Sequence, residues 1–122
     1  DFSGMLFVNL IEFDMIYGHR NDPQGYAQAL RLVDDYIPAL QAAARPGDAL
    51  MFVADHGVDP TTPGTDHTRE YVPLLVFGQK VRRGVDLGTR SSFSDAGATI
   101  LENFGLKQTF YGKSFLKEII AA

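Results

Sequence analysis

Residues 5–11, Met-Leu-Phe-Val-Asn-Leu-Ile, are nearly continuous apolar sequence. That pattern fits a strand buried on both faces of a parallel sheet better than a half-exposed hairpin strand. The run ends at Glu12, Phe13 and Asp14. After a polar loop, Asp22 supplies an N-cap and Pro23 the first helical position. Tyr26, Leu30, Val33, Ile37 and Leu40 then recur at steps of three and four, one apolar stripe on an amphipathic helix. Pro38 removes a backbone donor inside that helix, so a kink or a break into two pieces is expected near Asp34 and Asp35. Arg45, Pro46 and Gly47 stop it. A second apolar run, residues 49–54, again ends in an acid, Asp55. Strand, helix and strand in this order predict a βαβ unit with parallel strands and a right-handed crossover.

Residues 57–70 are rich in Gly, Pro, Thr and Asp and read as a loop, of a length that is uncommon in a compact domain unless functional. Residues 72–77 read as a third strand closed by Gly78, and residues 80–90 as a polar loop or short edge hairpin. Ser94 is placed to cap a helix that turns Ile100, Leu101 and Phe104 inward and stops at Gly105. Residues 114–122 read as a final helix with Phe115, Leu116, Ile119 and Ile120 on one side. No internal repeat or low-complexity tract interrupts this order.

Composition narrows the class. The 122 residues are 45% hydrophobic and 21% charged, with three histidines and no cysteine. An ordinary globular composition of this length leaves room for one domain. Without cysteine there is no disulfide framework, thiolate zinc site or cysteine nucleophile. Eleven basic against fifteen acidic side chains, a formal charge of −4, argue against nucleic acid as a partner. No apolar run approaches the roughly 20 residues that cross a bilayer. The chain opens Asp1-Phe2-Ser3-Gly4 directly before an apolar strand, with no signal peptide, which suggests a piece of a larger protein whose core is partly missing.

In open α/β sheets ligands bind beyond the carboxyl ends of the strands. Two predicted strands end there in an acid followed closely by a histidine: Asp14 with His19, and Asp55 with His56. The long loop adds Asp66-His67, eleven residues beyond His56. Asp14 and His19 are five apart, wrong for one α-helix face, so they converge only through a turn, which Gly18 permits. Adjacent strand residues point to opposite sides. Asp55 and His56 therefore share an ion only where the strand has ended, and Gly57 lets the chain bend there. Mixed carboxylate and imidazole ligands suit manganese, zinc or iron. Taken singly, each Asp-His pair reads as a hydrogen-bonded loop anchor; their joint placement at one sheet edge favours a metal centre. Glu12 rivals Asp14, since the two share a strand face.

Other signals are weaker. Gly112-Lys113-Ser114 resembles the end of a P-loop, but the required earlier glycine is Lys107. Lys80, Arg82, Arg83 and Arg90 read as a solvated basic loop. Arg20 and Arg69 stand beside His19 and His67, where each could back a ligand or meet a substrate phosphate; a surface salt bridge explains them equally well.

The segments FVNLIEFDMIYGHRND, FVADHGVDP, GTDHTREYVPLLVFG and SFSDAGATILENFG, in this order, resemble the C-terminal part of the phosphopentomutase family, within the alkaline phosphatase superfamily of two-metal phosphotransferases. The likeness covers essentially the whole chain. Asp-His-Gly after a buried strand is shared across the superfamily, whereas YGHR and the short step from Asp-His to Thr-Asp-His-Thr-Arg-Glu are more specific. The resemblance implies a three-layer α/β/α core with a mostly parallel sheet, of which residues 1–122 are the C-terminal, metal-bearing segment. It makes Asp14, His19 and His67 ligands of one ion and Asp55 and His56 ligands of a second. The ions are typically manganese, roughly 4 Å apart, clamping the oxygens of an in-line phosphoryl transfer. It further implies a cytoplasmic enzyme in which a phosphothreonine exchanges phosphate with a pentose monophosphate, moving it between C1 and C5 of ribose or deoxyribose.

The family's nucleophilic threonine, a further metal-binding aspartate and the sugar-holding cap belong to N-terminal segments with no counterpart here. Thr61, Thr62, Thr65 and Thr68 lie in the long loop and do not match the nucleophile's setting. The expectation is a chain that cannot turn over alone, whose partners are a phosphorylated pentose and the missing N-terminal part. Two rivals stand beside it. A cofactor-independent phosphoglycerate mutase would have a shorter first Asp-to-His step and a more distant last histidine. A non-catalytic metal-binding module would have kept the strand-end motifs alone.

Overall fold

A computed structural model describes residues 2–120, and the chain divides into two units. Asp1–Ala39 with His56–Val72 form one, Leu40–Asp55 with Pro73–Ala122 the other.

In the first unit the apolar run at residues 5–11 is not a strand; it is irregular and exposed. A strand buried on both faces needs a ladder at its edges and a layer on each side, and among the described residues the only sheet has two strands elsewhere. The chain instead enters a π-helix, Phe13–Gly18. The helix α1, Pro23–Ala43, follows. Its start is as the sequence reads: the Gly25 N–H donates to Asp22 Oδ1 at 2.8 Å, with Pro23 where no donor is needed. Tyr26, Ala29, Val33 and Ile37 are its half-buried positions, while Leu30 and Leu40 are exposed. Phe13 packs edge-on against Tyr26, ring centres 5.1 Å apart. Burial, with the nearby Asp14 charge second, raises the Tyr26 pKa. The expected break at Pro38 is not seen: α1 runs through it as one helix. Losing a single donor leaves the Asp34 carbonyl without its helical partner, and the surrounding turns hold.

In the second unit β1, Ala49–Val53, pairs with β2, Leu74–Gly78, in register from Ala49 opposite Gly78 to Val53 opposite Leu74. The pairing is antiparallel, and with residues 5–11 not a strand the expected parallel βαβ unit is not present among the described residues. Phe52 and Phe77 stack across the ladder at 5.6 Å. Val81, Phe115 and Ile119 make the core, with Met51, Leu74, Val76 and Leu87 against it. The helix α2, Ser94–Asn103, buries Asp95, Ala98 and Thr99, where the apolar pattern pointed to Ile100, Leu101 and Phe104. Nor is Ser94 its cap: Ser92 Oγ accepts the Ser94 N–H at 3.2 Å. The stop at Gly105 is as expected. With φ 65, Gly105 lets its own N–H reach the Glu102 carbonyl and that of Leu106 reach Leu101, the double bond that closes a helix C-terminus.

The final helix, α3, is a single turn, Leu116–Ile119. Ile120 leaves it to bridge Val81, and the Arg82 N–H donates to the Ile119 carbonyl at 2.7 Å. Residues 121–122 of the expected helix lie outside the described residues. Asp95 fixes this segment to α2: Oδ1 accepts the Lys113 N–H and Oδ2 the Arg90 Nε–H, both at 2.8 Å. The Thr99 hydroxyl donates to the Asp95 carbonyl and accepts the Phe115 N–H. Among the described residues no helix is long and apolar enough to cross a membrane.

Candidate metal centre

The π-helix sets the first pair of side chains. Its ladder bonds residue i+5 to residue i, and the His19 N–H donates to the Asp14 carbonyl at 2.9 Å. A spacing of five, wrong for an α-helix, is one full turn here. Asp14 and His19 therefore share a face, with His19 Nε2 3.4 Å from Asp14 Oδ2. Gly18 serves this turn by close approach, having no positive φ: a Cβ there would meet Val58 Cγ2 at 2.6 Å. The turn closes at Asn21, whose φ of 52 is left-handed. Its N–H reaches the Gly18 carbonyl, and that of Asp22 reaches Tyr17.

The loop after β1 brings the other imidazoles. His67 Nε2 lies 3.2 Å from Asp14 Oδ1, and His56 Nε2 lies 3.9 Å from the same oxygen. The rings of His56 and His67 stack at 3.7 Å, and those of His19 and His67 are 4.9 Å apart. Donor atoms of Asp14, His19 and His67 all lie within 4.8 Å of one another. Gly57 makes the return possible, again by approach: its carbonyl accepts the Thr68 N–H, and a Cβ would sit 2.7 Å from backbone atoms of Thr68 and Glu70. Gly57→Ala is expected to cost about 1–3 kcal/mol, the range for overpacking. A drop in the urea midpoint at unchanged slope checks it.

Proton bookkeeping shows what the cluster lacks. His19 Nδ1 is bonded to the Thr65 carbonyl, so in a neutral ring Nδ1 carries the hydrogen and Nε2 a lone pair. That lone pair faces a carboxylate. His56 repeats the arrangement, with Nδ1 against the Gly57 carbonyl at 3.3 Å and Nε2 toward Asp14. Asp14 Oδ1 is buried and no hydrogen bond reaches it. Lone pairs converging on a carboxylate repel unless a proton or a cation lies between them. The donor set of imidazole and carboxylate is one that divalent transition ions take.

The remaining candidates are exposed side chains. Asp55 closes the segment of the second unit and is exposed. Glu12, Asp66, Arg20 and Arg69 are exposed as well, and none is among the three clustered donors. Sequence reasoning missed Asn21. Its signal was an asparagine, the residue after glycine most at ease with positive φ, just before a helix cap.

Residues 1–108 match the metalloenzyme superfamily. A curated phosphopentomutase of Herpetosiphon aurantiacus is 66% identical over 119 residues, which is 98% of this chain and 30% of that protein. The phosphopentomutase of Carboxydothermus hydrogenoformans is 54% identical over 119 residues, again 98% and 30%. That of Acetivibrio thermocellus is 52% identical over 120 residues, 98% and 31%. The chain thus spans about 30% of the length of the curated relatives it matches.

Proposed function

Since this chain belongs to the metalloenzyme superfamily, we propose that it is the metal-bearing segment of a phosphopentomutase, interconverting the 1- and 5-phosphates of ribose or deoxyribose. One observation carries the reading: the Asp14 carboxylate, with a buried unpartnered oxygen, is ringed by the Nε2 atoms of His19, His56 and His67. Asp14, His19 and His67 would hold one ion. Asp55 and His56 would serve a second, completed by a residue outside this chain. When bound, two divalent ions, manganese by preference, supply Lewis-acid stabilisation of the charge on a transferring phosphoryl group.

This chain's residues do the preparatory work. The Thr65 and Gly57 carbonyls orient the rings of His19 and His56, so that their basic nitrogens face inward. Arg20 and Arg69, exposed beside His19 and His67, are placed to meet substrate phosphate. Thr61 and Thr62 are not the nucleophile in this reading, because they lie in the long loop and not at a strand-to-helix turn; their hydroxyls donate to the Asp59 carboxylate at 2.7 and 3.2 Å. Those bonds, led by the Thr61 hydroxyl, also lower the Asp59 pKa. The nucleophilic threonine, the sugar-holding cap and the central strands of a three-layer α/β/α core with a mostly parallel sheet are assigned to segments outside residues 1–122. A cytoplasmic location belongs to the same proposal.

The test is an assay of the longer protein on ribose 5-phosphate and on 3-phosphoglycerate. Conversion of the pentose phosphate alone is expected, and conversion of only 3-phosphoglycerate overturns the substrate assignment. Residues 1–122 by themselves are expected to show no turnover.

A further inference from the structure

We infer that Asn21 is a positioning residue for the metal centre: its carboxamide pins the loop whose Thr65 carbonyl sets the ring orientation and tautomer of His19. The inference rests on the metal-binding reading above. Asn21 Nδ2 donates to the Thr62 carbonyl at 2.8 Å and to the Pro60 carbonyl at 3.3 Å. Two acceptors facing one nitrogen fix the orientation of the amide. Three residues beyond Thr62, the Thr65 carbonyl takes His19 Nδ1, and His67 follows two residues later.

The anchored end of the loop is stiffened locally, since the Asp59 carboxylate accepts the Thr61 N–H at 2.8 Å and both threonine hydroxyls. Only Pro63, whose ring fixes φ, and Gly64 separate Thr62 from Thr65, so the Asn21 anchor sits close enough along the chain to bias the Thr65 carbonyl. The turn and the loop are tied twice, at Asn21 and at His19, into one closed ring of contacts.

Two demands meet at this position. The backbone is left-handed, with φ 52, which favours Gly, Asn and Asp. The side chain must also donate to two carbonyls, which excludes Asp and Gly. Asparagine alone of the three meets both demands. Groups that orient a ligating histidine through its second ring nitrogen are worth about 10- to 100-fold in metal affinity.

The experiment uses Asn21→Asp and Asn21→Gly in this chain, with Mn²⁺ titration calorimetry for affinity and ¹⁵N imidazole shifts of the metal-free chain for the His19 tautomer. Asn21→Gly keeps the left-handed turn, so a loss there does not come from backbone strain, and it carries the comparison if Asn21→Asp does not fold. Both variants are expected to weaken Mn²⁺ binding about 10-fold and to move His19 from the Nδ1–H toward the Nε2–H form. Folded variants with unchanged tautomer and unchanged affinity overturn the inference. The outcomes separate it from the reading beneath it. Mn²⁺ binding that His19→Ala abolishes but the Asn21 variants leave intact keeps the metal centre and removes the Asn21 role. A wild-type chain that binds no Mn²⁺, while the variants still shift the tautomer, does the reverse.

Discussion

Asp14→Ala is expected to abolish Mn²⁺ binding by this chain while leaving the metal-free protein as stable as before, or more so. The carboxylate lies 3.2 to 3.9 Å from three imidazole nitrogens, and among the described residues it is the one acid in the cluster of donors. Its loss should weaken binding by more than the roughly 100-fold that marks the upper end for a merely supporting group. The opposite sign in stability follows from Oδ1, which is buried and accepts no hydrogen bond. Burying an unsatisfied polar atom costs about 1–3 kcal/mol. Because the Asp14 side chain as a whole is 31% exposed, the recoverable part lies at the low end of that range. Titration calorimetry reads the first effect and thermal unfolding in chelator the second. Unchanged Mn²⁺ affinity would remove Asp14 from the site, and a large drop in metal-free stability would show that the carboxylate is structural.

Asp95→Ala should have the largest effect on stability, about 3–5 kcal/mol, the cost of removing one partner of a buried ion pair. Asp95 is 3% exposed and holds both the Arg90 guanidinium and the Lys113 N–H. Its loss leaves Arg90 over the Phe115 ring, 5.2 Å from its centre, with the exposed Glu118 carboxylate at 3.6 Å and the Lys113 carbonyl as remaining partners, which places the cost at the low end of that range. Since domains are typically stable by about 5–15 kcal/mol, the second unit would approach its unfolding threshold. A pH dependence accompanies this. Burial opposes the charge on Asp95, but bonds from the Lys113 N–H and from Arg90 outweigh it and hold the pKa below the usual range. A lowered folded-state pKa gives stability that is fully present above the unfolded value of about 3.9. It is lost as pH falls from there through the folded value. Urea unfolding of the wild type from neutral pH to about pH 3 should show this decline, with Asp95→Asn flatter over the same interval.

The cap at Asp22, the helix it opens, the end of that helix before Arg45, Pro46 and Gly47, the stop at Gly105, and strands within residues 49–54 and near 72–77 were legible because each depends on neighbours in sequence. Leu30 and Leu40 of the expected stripe, by contrast, are exposed. Residues 5–11 misled for the converse reason. Their apolar run states a demand for burial, and whether a sheet meets it depends on strands that the run does not specify. In α2 the buried face is Asp95, Ala98 and Thr99. Hydrophobicity is blind there, because hydrogen bonds to Lys113 and Phe115 decide which side docks. In the candidate metal centre the residue types were readable, and Asp14, His19 and His67 do converge, with His56, expected beside Asp55, also facing Asp14. The contact between Asp14 and His19 was not deducible from α-helical or strand periods, and Gly18 and Gly57 proved to be sites of close approach where bends were expected.

The π-helix also bears on which kinds of mutation the centre can absorb. In an α-helix of about 100° per residue, His19 would lie about 140° round the axis from Asp14, facing away from it. Met15 and Ile16, between the two, are 57% and 52% exposed, so exchanges of side chain there touch little. Deleting either one, or inserting a residue beside it, would change the step from five to four or six and swing the imidazole off the carboxylate. Across residues 14–19 the centre reads length more strictly than spelling, so single-codon insertions and deletions should be the damaging class of change and point substitutions at Met15 and Ile16 the forgiving one, Gly18 excepted because a Cβ there meets Val58.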